Sequence, residues 1–166
     1  MKSAVVLLLT VGCAPTSTGG VVGSPDSSPP ADETAPGDSM EQVPGYVAGQ
    51  ALFTDDEVHP VSLTLDDAGW AALLAAPTTY VEATFSDESR SLRVGVRLKG
   101  YSSFQPLTGK PNIRVSFDHY VDGQRYDGLE AVDLINEVED PAAMSEALAY
   151  RIFRSAGQPA SRTGFA

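Results

Sequence analysis

Three consecutive segments alternate apolar and polar residues, and this pattern constrains the fold more than any other feature of the chain. Residues 80–86 set Val81, Ala83 and Phe85 against Glu82 and Thr84. Residues 91–99 set Leu92, Val94, Val96 and Leu98 against Arg93, Gly95, Arg97 and Lys99. Residues 112–118 set Ile113, Val115 and Phe117 against Asn112, Arg114 and Ser116. Alternation of this kind gives a strand one packed face and one solvated face, the habit of antiparallel sheets.

Other elements fit around these strands. Residues 58–65 read as a further strand, with Val61, Leu63 and Leu65 facing one way. Asp66-Asp67 suits a helix N-terminus, and residues 68–76 read as a short helix ended by Pro77. Trp70, Leu73 and Leu74 fall on one face of it by their spacing. Asp122-Gly123 and Asp127-Gly128 signal turns, and a short strand is predicted within 129–135. Asp140-Pro141 opens a last helix, which carries Met144, Leu148 and Ile152 at four-residue intervals and closes at Gly157. Strands clustered together and flanked by two helices predict an α+β fold with a mostly antiparallel sheet.

Composition limits how that fold is held and what it binds. The chain has 166 residues, and 42% are hydrophobic, enough for one packed domain. Cys13 is its single cysteine and its only histidines are His59 and His119. Neither an internal disulfide nor a Cys/His zinc site is therefore available. A net charge of −11 argues against a general nucleic-acid binder, which needs a basic footprint to displace counterions from phosphates. His59, ahead of Pro60 at a strand start, reads as structural.

The N-terminus has the form of an export signal. Met1-Lys2 is positive, an apolar run extends from Ala4 to Val11, and Gly12-Cys13 follows. The run is far too short to cross a bilayer as a helix, which takes about 20 residues. Thr10-Val11-Gly12-Cys13 resembles the lipobox of bacterial lipoproteins, with Thr10 where leucine is usual. The leading expectation is a lipidated Cys13 and a membrane anchor; ordinary secretion or an uncleaved N-terminus are the alternatives. Residues 14–45 are rich in Ser, Thr, Gly, Pro, Asp and Glu and read as a disordered tether. The folded domain is then expected over 46–166, at the cell envelope or outer surface.

The strongest chemical signal is a local reversal of charge. Between Ser89 and Phe117 there is no acidic residue, while Arg90, Arg93, Arg97, Lys99, Lys110 and Arg114 all lie there. The segment from Gly100 to Lys110 adds glycines and the hydroxyls of Ser102 and Ser103. Such a loop offers backbone N–H groups and cations to a phosphate. The same residues also read as a solvated basic face beside a long hairpin loop. No Walker A motif is present, because Pro111 follows Gly109-Lys110. Asn136, Glu137, Glu139 and Asp140 form an oxygen-rich run suited either to a hard cation or to a solvated loop and helix cap.

Several stretches together resemble the N-terminal region of the CotH kinase family, the atypical kinases similar to spore coat protein H. They are Leu52-Phe53-Thr54-Asp55-Asp56-Glu57-Val58-His59, Trp70-Ala71-Ala72-Leu73-Leu74, Val94-Gly95-Val96-Arg97-Leu98-Lys99-Gly100-Tyr101-Ser102-Ser103 and Gly109-Lys110. Gly128-Leu129-Glu130, Asp140-Pro141, Glu146-Ala147-Leu148-Ala149-Tyr150 and the stretch from Ala156 to Thr163 continue the likeness. The resemblance implies a kinase-like N-lobe and ATP-dependent phosphorylation of surface proteins with a divalent metal such as Mg. It implies nucleotide binding by Lys99, Gly100, Ser102, Ser103, Lys110, Arg114 and Glu146, with Arg114 or Lys110 paired to Glu146. Family members extend beyond the match to Ser161-Arg162-Thr163, and their catalytic and metal-binding aspartates lie there. This chain is accordingly expected to be an N-terminal fragment, inactive alone, whose last helix lacks a partner for its apolar face. An anion-binding or purely structural surface lipoprotein is the alternative function.

Overall fold

The computed structural model describes residues 8–11 and 47–166, apart from 55, 56 and 141. Cys13, the tether over 14–45 and Pro141 lie outside the described residues. The elements run β1 (Leu8–Val11), β2 (Ser62–Thr64), α1 (Asp67–Ala75), β3 (Val81–Ser86) and β4 (Ser91–Lys99). β5 (Asn112–Ser116), β6 (Ala131–Ile135), α2 (Ser145–Ser155) and β7 (Arg162–Phe165) follow. The sheet order is β2-β3-β4-β5-β6-β1-β7, with every strand pair antiparallel. The result is the α+β architecture that the alternation implies.

The alternating residues build the core. Phe85, Val94, Val96, Leu98, Val115 and Phe117 are all 0–1% exposed, so the period-two pattern sorts inside from outside along three strands. Phe85, Phe117 and Tyr126 pack ring to ring, with centroids 5.1–5.3 Å apart. Asp127 and Gly128 both have positive φ (48° and 75°), as the two central residues of a type I′ hairpin turn require. That turn returns Leu129 to pair with Tyr126.

The sheet curls until its two ends meet. Val58, just before β2, forms a parallel bridge to Phe165 of β7, and His59 N–H donates to the Phe165 carbonyl at 2.8 Å. A Cβ on Gly164 would come within 2.2 Å of the Leu52 carbonyl oxygen, so only glycine allows this approach. The strand expected over 58–65 is thereby divided into a bridge at Val58 and the ladder of β2.

The helices depart further from expectation. Asp66 caps α1 as predicted, accepting the Gly69 N–H at 2.7 Å. Of the expected face, however, only Leu73 is buried; Trp70 and Leu74 are 45% and 47% exposed. The last helix begins at Ser145 rather than at Pro141, because Ala143 takes a positive φ of 52° and interposes a turn. Asp140 still caps it from a distance, accepting the N–H groups of Met144 and Ser145 at 2.9 and 2.6 Å. Gly157, with φ of 73°, ends α2 as the sequence indicates. No residue of α2 is buried, and Met144, Leu148, Ile152 and Phe153 are 48–66% exposed.

Candidate anion-binding site

The site grows from one row across the solvated face of the sheet. Strand register places Arg97 opposite Arg114, and Arg114 opposite Asp133. Two like charges directly across a strand pair repel. Asp133, only 6% exposed, offsets this. Lys99 Nζ lies 2.7 Å from Asp133 Oδ2, and Arg114 Nη1 lies 3.3 Å from each oxygen of the same carboxylate. Arg97 donates to the Leu98 carbonyl at 3.3 Å and rests 5.3 Å from the centre of the Tyr80 ring. Two cations thus share one buried carboxylate, and Arg97 stands beside Arg114 as a third. The local field is positive in a protein of net charge −11.

The loop after β4 is held against this row by two asparagines. Asn112, at 2% exposure, donates from Nδ2 to Ser103 Oγ at 3.0 Å, and its Oδ1 accepts the Asn136 N–H at 2.6 Å. Asn136, at 1%, donates from Nδ2 to the carbonyls of Ser103 and Lys110 at 3.2 and 2.8 Å. Its Oδ1 accepts the Val138 N–H at 3.1 Å. Both ends of the loop are therefore tied to the end of β6. At the start of the loop, Gly100 has φ of 121°, a conformation that side chains rarely tolerate. The segment is pinned at Ser103 and Lys110 while Tyr101, Ser102 and the Lys110 side chain face solvent.

Acidic groups border the loop. Glu137 adopts a positive φ of 50°, and its Oε1 is buried without a hydrogen-bond partner. Burial, with the nearby charges of Glu146 and Asp140, pushes its carboxyl above the usual range, while Lys110 pulls the other way. Glu146 also acts on Tyr150, whose hydroxyl is raised first by burial and then by its hydrogen bond to that carboxylate. Asp140 is lowered chiefly by the Ser145 N–H, as a helix-capping carboxylate should be.

These positions revise the expected roles residue by residue. Lys99, Gly100, Ser103 and Arg114 come together, but Arg114 pairs with Asp133 instead of Glu146. No ion pair among the described residues joins Lys110 to Glu146 either. The oxygen-rich run does not assemble as one ligand set, since Asn136 and Asp140 are engaged in local hydrogen bonds. Among the described residues no group of three or more His, Cys, Asp or Glu is arranged for a metal ion. The cationic row itself suits an anion such as phosphate, because its guanidinium and ammonium groups carry the charge and the donors for one. Asp133, the organising carboxylate, was missed by the sequence reading, although its place between Val132 and Leu134 puts it on the sheet face opposite theirs, where it is nonetheless buried under Lys99 and Arg114.

No curated protein and no solved structure matches the chain. Residues 96–166, which start within β4 and carry the cationic row, the pinned loop, α2 and β7, match the family described as CotH kinase protein, and over this C-terminal part the protein is CotH-like.

Proposed function

We propose that the Lys99–Arg114–Asp133 row and the pinned loop after β4 hold the phosphates of a nucleotide, as part of a kinase-like domain. The observation that carries this reading is the buried carboxylate of Asp133 fixing two cations beside a glycine-started loop. A phosphate arriving there meets Lys99 and Arg114 already oriented, so little side-chain freedom is lost on binding. Asp133 keeps the cations in place without cancelling them, because Arg97 adds a further positive charge to the row. Gly100, Ser102 and Ser103 offer N–H and hydroxyl donors from the loop.

In this reading the strands preceding and including β5 correspond to a kinase-like N-lobe. ATP is the expected ligand and Mg its usual companion. The described residues supply phosphate-holding groups, and the expected behaviour is binding without transfer. The same reading takes the N-terminal segment as an export signal with lipidated Cys13, placing the domain at the cell envelope with other surface proteins as substrates of the family chemistry.

Titration of the full chain with Mg-ATP, followed by calorimetry, tests this. Saturable binding that weakens about tenfold or more on Lys99→Ala or Arg114→Ala supports it, as expected for a charge-assisted contact of 1.5–3 kcal/mol. Equal binding of inorganic polyphosphate and ATP would favour a general anion site, and no binding of either would favour a structural role. Transfer of the γ-phosphate to any protein would overturn the expectation of binding alone.

A further inference from the structure

A concave surface lies between α1 and β3. It is a cleft of about 530 Å³, within the range of small-molecule sites. Ala68, Gly69 and Ala72 form the α1 wall and bring little side-chain bulk into it. The floor is polar. Strand register sets Thr64 of β2 opposite Thr84 of β3, and Glu82 lies two residues back on the same face of β3. Glu82 Oε2 accepts from Arg93 Nη2 at 2.6 Å, and both side chains are 54% exposed.

Two aromatic rings, those of Tyr80 and Tyr120, complete the lining, and both are already fixed. Tyr80 stacks on His119 with ring centroids 4.3 Å apart, and the Arg97 guanidinium lies 5.3 Å from its centre. Tyr120 meets the same imidazole edge-on at 4.7 Å, and its Oη donates to the Tyr80 carbonyl at 3.4 Å. His119 in turn sits directly over Gly95, where a Cβ would come within 2.7 Å of it. Glycine inside a strand weakens the strand, and here it is what admits the histidine.

The lining narrows what fits. Among the described residues no lysine or arginine lines the cleft, whereas Asp66 and Glu82 do, so an anion is repelled. Those carboxylates are engaged, Asp66 as the cap of α1 and Glu82 by Arg93, so a cation gains little. The main-chain groups of β3 are spent on ladders to β2 and β4, which leaves no free strand edge for a peptide. A neutral ring with hydroxyls around its rim and apolar C–H faces meets both kinds of lining. We propose that this cleft is a saccharide-binding site for a neutral hexose or a short chain ending in one. Hydroxyls donate to Glu82 and exchange hydrogen bonds with Thr64 and Thr84, while the C–H faces pack on Tyr80 and Tyr120. Because His119 holds the rings before the sugar arrives, little side-chain freedom is lost on binding. The inference is independent of the nucleotide reading.

Protein-observed NMR on the full chain tests it, with glucose, galactose, N-acetylglucosamine, maltose and cellobiose as probes at millimolar concentration. Sodium triphosphate and an acetylated, amidated trialanine are the controls. The expected result is saturable shifts in residues 64–72 and 80–84 with at least one sugar, and in those segments with neither control. Ala72→Phe, at an exposed helix position, fills the cleft and should abolish the shifts. Glu82→Gln should weaken binding about tenfold, as for a lost charge-assisted hydrogen bond. Both changes lie on the surface, so an unchanged urea midpoint shows that the fold is intact. No shifts with any sugar, shifts confined to another part of the chain, or binding indifferent to both variants would overturn the site. Shifts in the cleft with triphosphate or the peptide instead of a sugar would overturn the ligand class.

Discussion

The central strands and α2 are both written in clear periodicities, yet only one of them finds a partner. In β3, β4 and β5 most of the inward residues are almost wholly removed from water, with Leu92 and Ile113 partly buried at the margin. In α2 the residues at helical spacing, Met144, Leu148 and Ile152, remain about half exposed or more. Period specifies which element forms and which face is apolar. It does not specify what the face packs against. The strands obtain their partners from each other, by ladders a few residues away in sequence, whereas α2 touches mainly β7, a strand of four residues.

The largest effect that would test this contrast lies in the aromatic core. Phe117→Ala should cost about 3–5 kcal/mol, read as a lowered urea midpoint, because it opens a cavity between Phe85 and Tyr126. A cost near that of a surface change would mean that this core is loose. Next comes Asp133→Ala, which leaves Lys99 and Arg114 without their carboxylate. Both side chains are about one-third exposed and gain water, so the expected loss is about 1–2 kcal/mol rather than that of a fully buried pair. The same substitution should also let the two cations swing apart and weaken ATP binding.

A smaller, pH-dependent effect belongs to the lock at the strand ends. Tyr126 Oη donates to Asp87 Oδ2 at 2.5 Å, and the Arg90 guanidinium lies 4.1 Å from the tyrosine ring centre. Burial alone would raise the Asp87 carboxyl, but the hydrogen bonds from Tyr126, Ser89 and Arg90 outweigh it and hold the group well below its ordinary range. A depressed carboxyl contributes stability above its unfolded pKa, about 3.9, and that contribution is lost as pH falls toward the folded value. Tyr126 is pushed up to about 12 by burial and then by Asp87. Its contribution is complete below about pH 10 and is lost as pH rises through the folded value. Tyr126→Phe should flatten both arms of a stability-versus-pH curve; an unchanged curve would remove the lock from the account.

The smallest effect is expected on α2. Ile152→Ala should change stability by about 0.5 kcal/mol or less, as at an ordinary surface position, and should lower self-association. A loss above about 2 kcal/mol would show that something covers this face and would erase the contrast with the strands.

The parts of the fold that were legible in the sequence are those set by local pattern. Val81, Ala83 and Phe85 announce their face, and Asp66 and Gly157 announce the helix ends they occupy. What was not legible depends on register between distant segments. That Arg114 lies opposite Asp133 follows from how β5 and β6 slide against each other, a choice that neither strand encodes alone. The polar alternation included Asn112, but its burial follows from hydrogen bonds to Ser103 and Asn136 across the loop. Trp70 looked like core because the helical period is blind to how little of α1 touches β3. Leu8–Val11 carries the same residues whether it serves as the apolar run of an export signal or as a strand, so composition does not distinguish the two uses.

The central claim is that the row around Asp133 and the loop pinned by Asn112 and Asn136 form one phosphate-holding site. Hydrogen exchange of the full chain, with and without saturating Mg-ATP, tests it most directly. Slowed exchange confined to residues 100–111 and the neighbouring strand ends, and abolished by Lys99→Ala, is the result predicted. Unchanged exchange in that loop at saturating nucleotide, or protection confined to another part of the molecule, would contradict it.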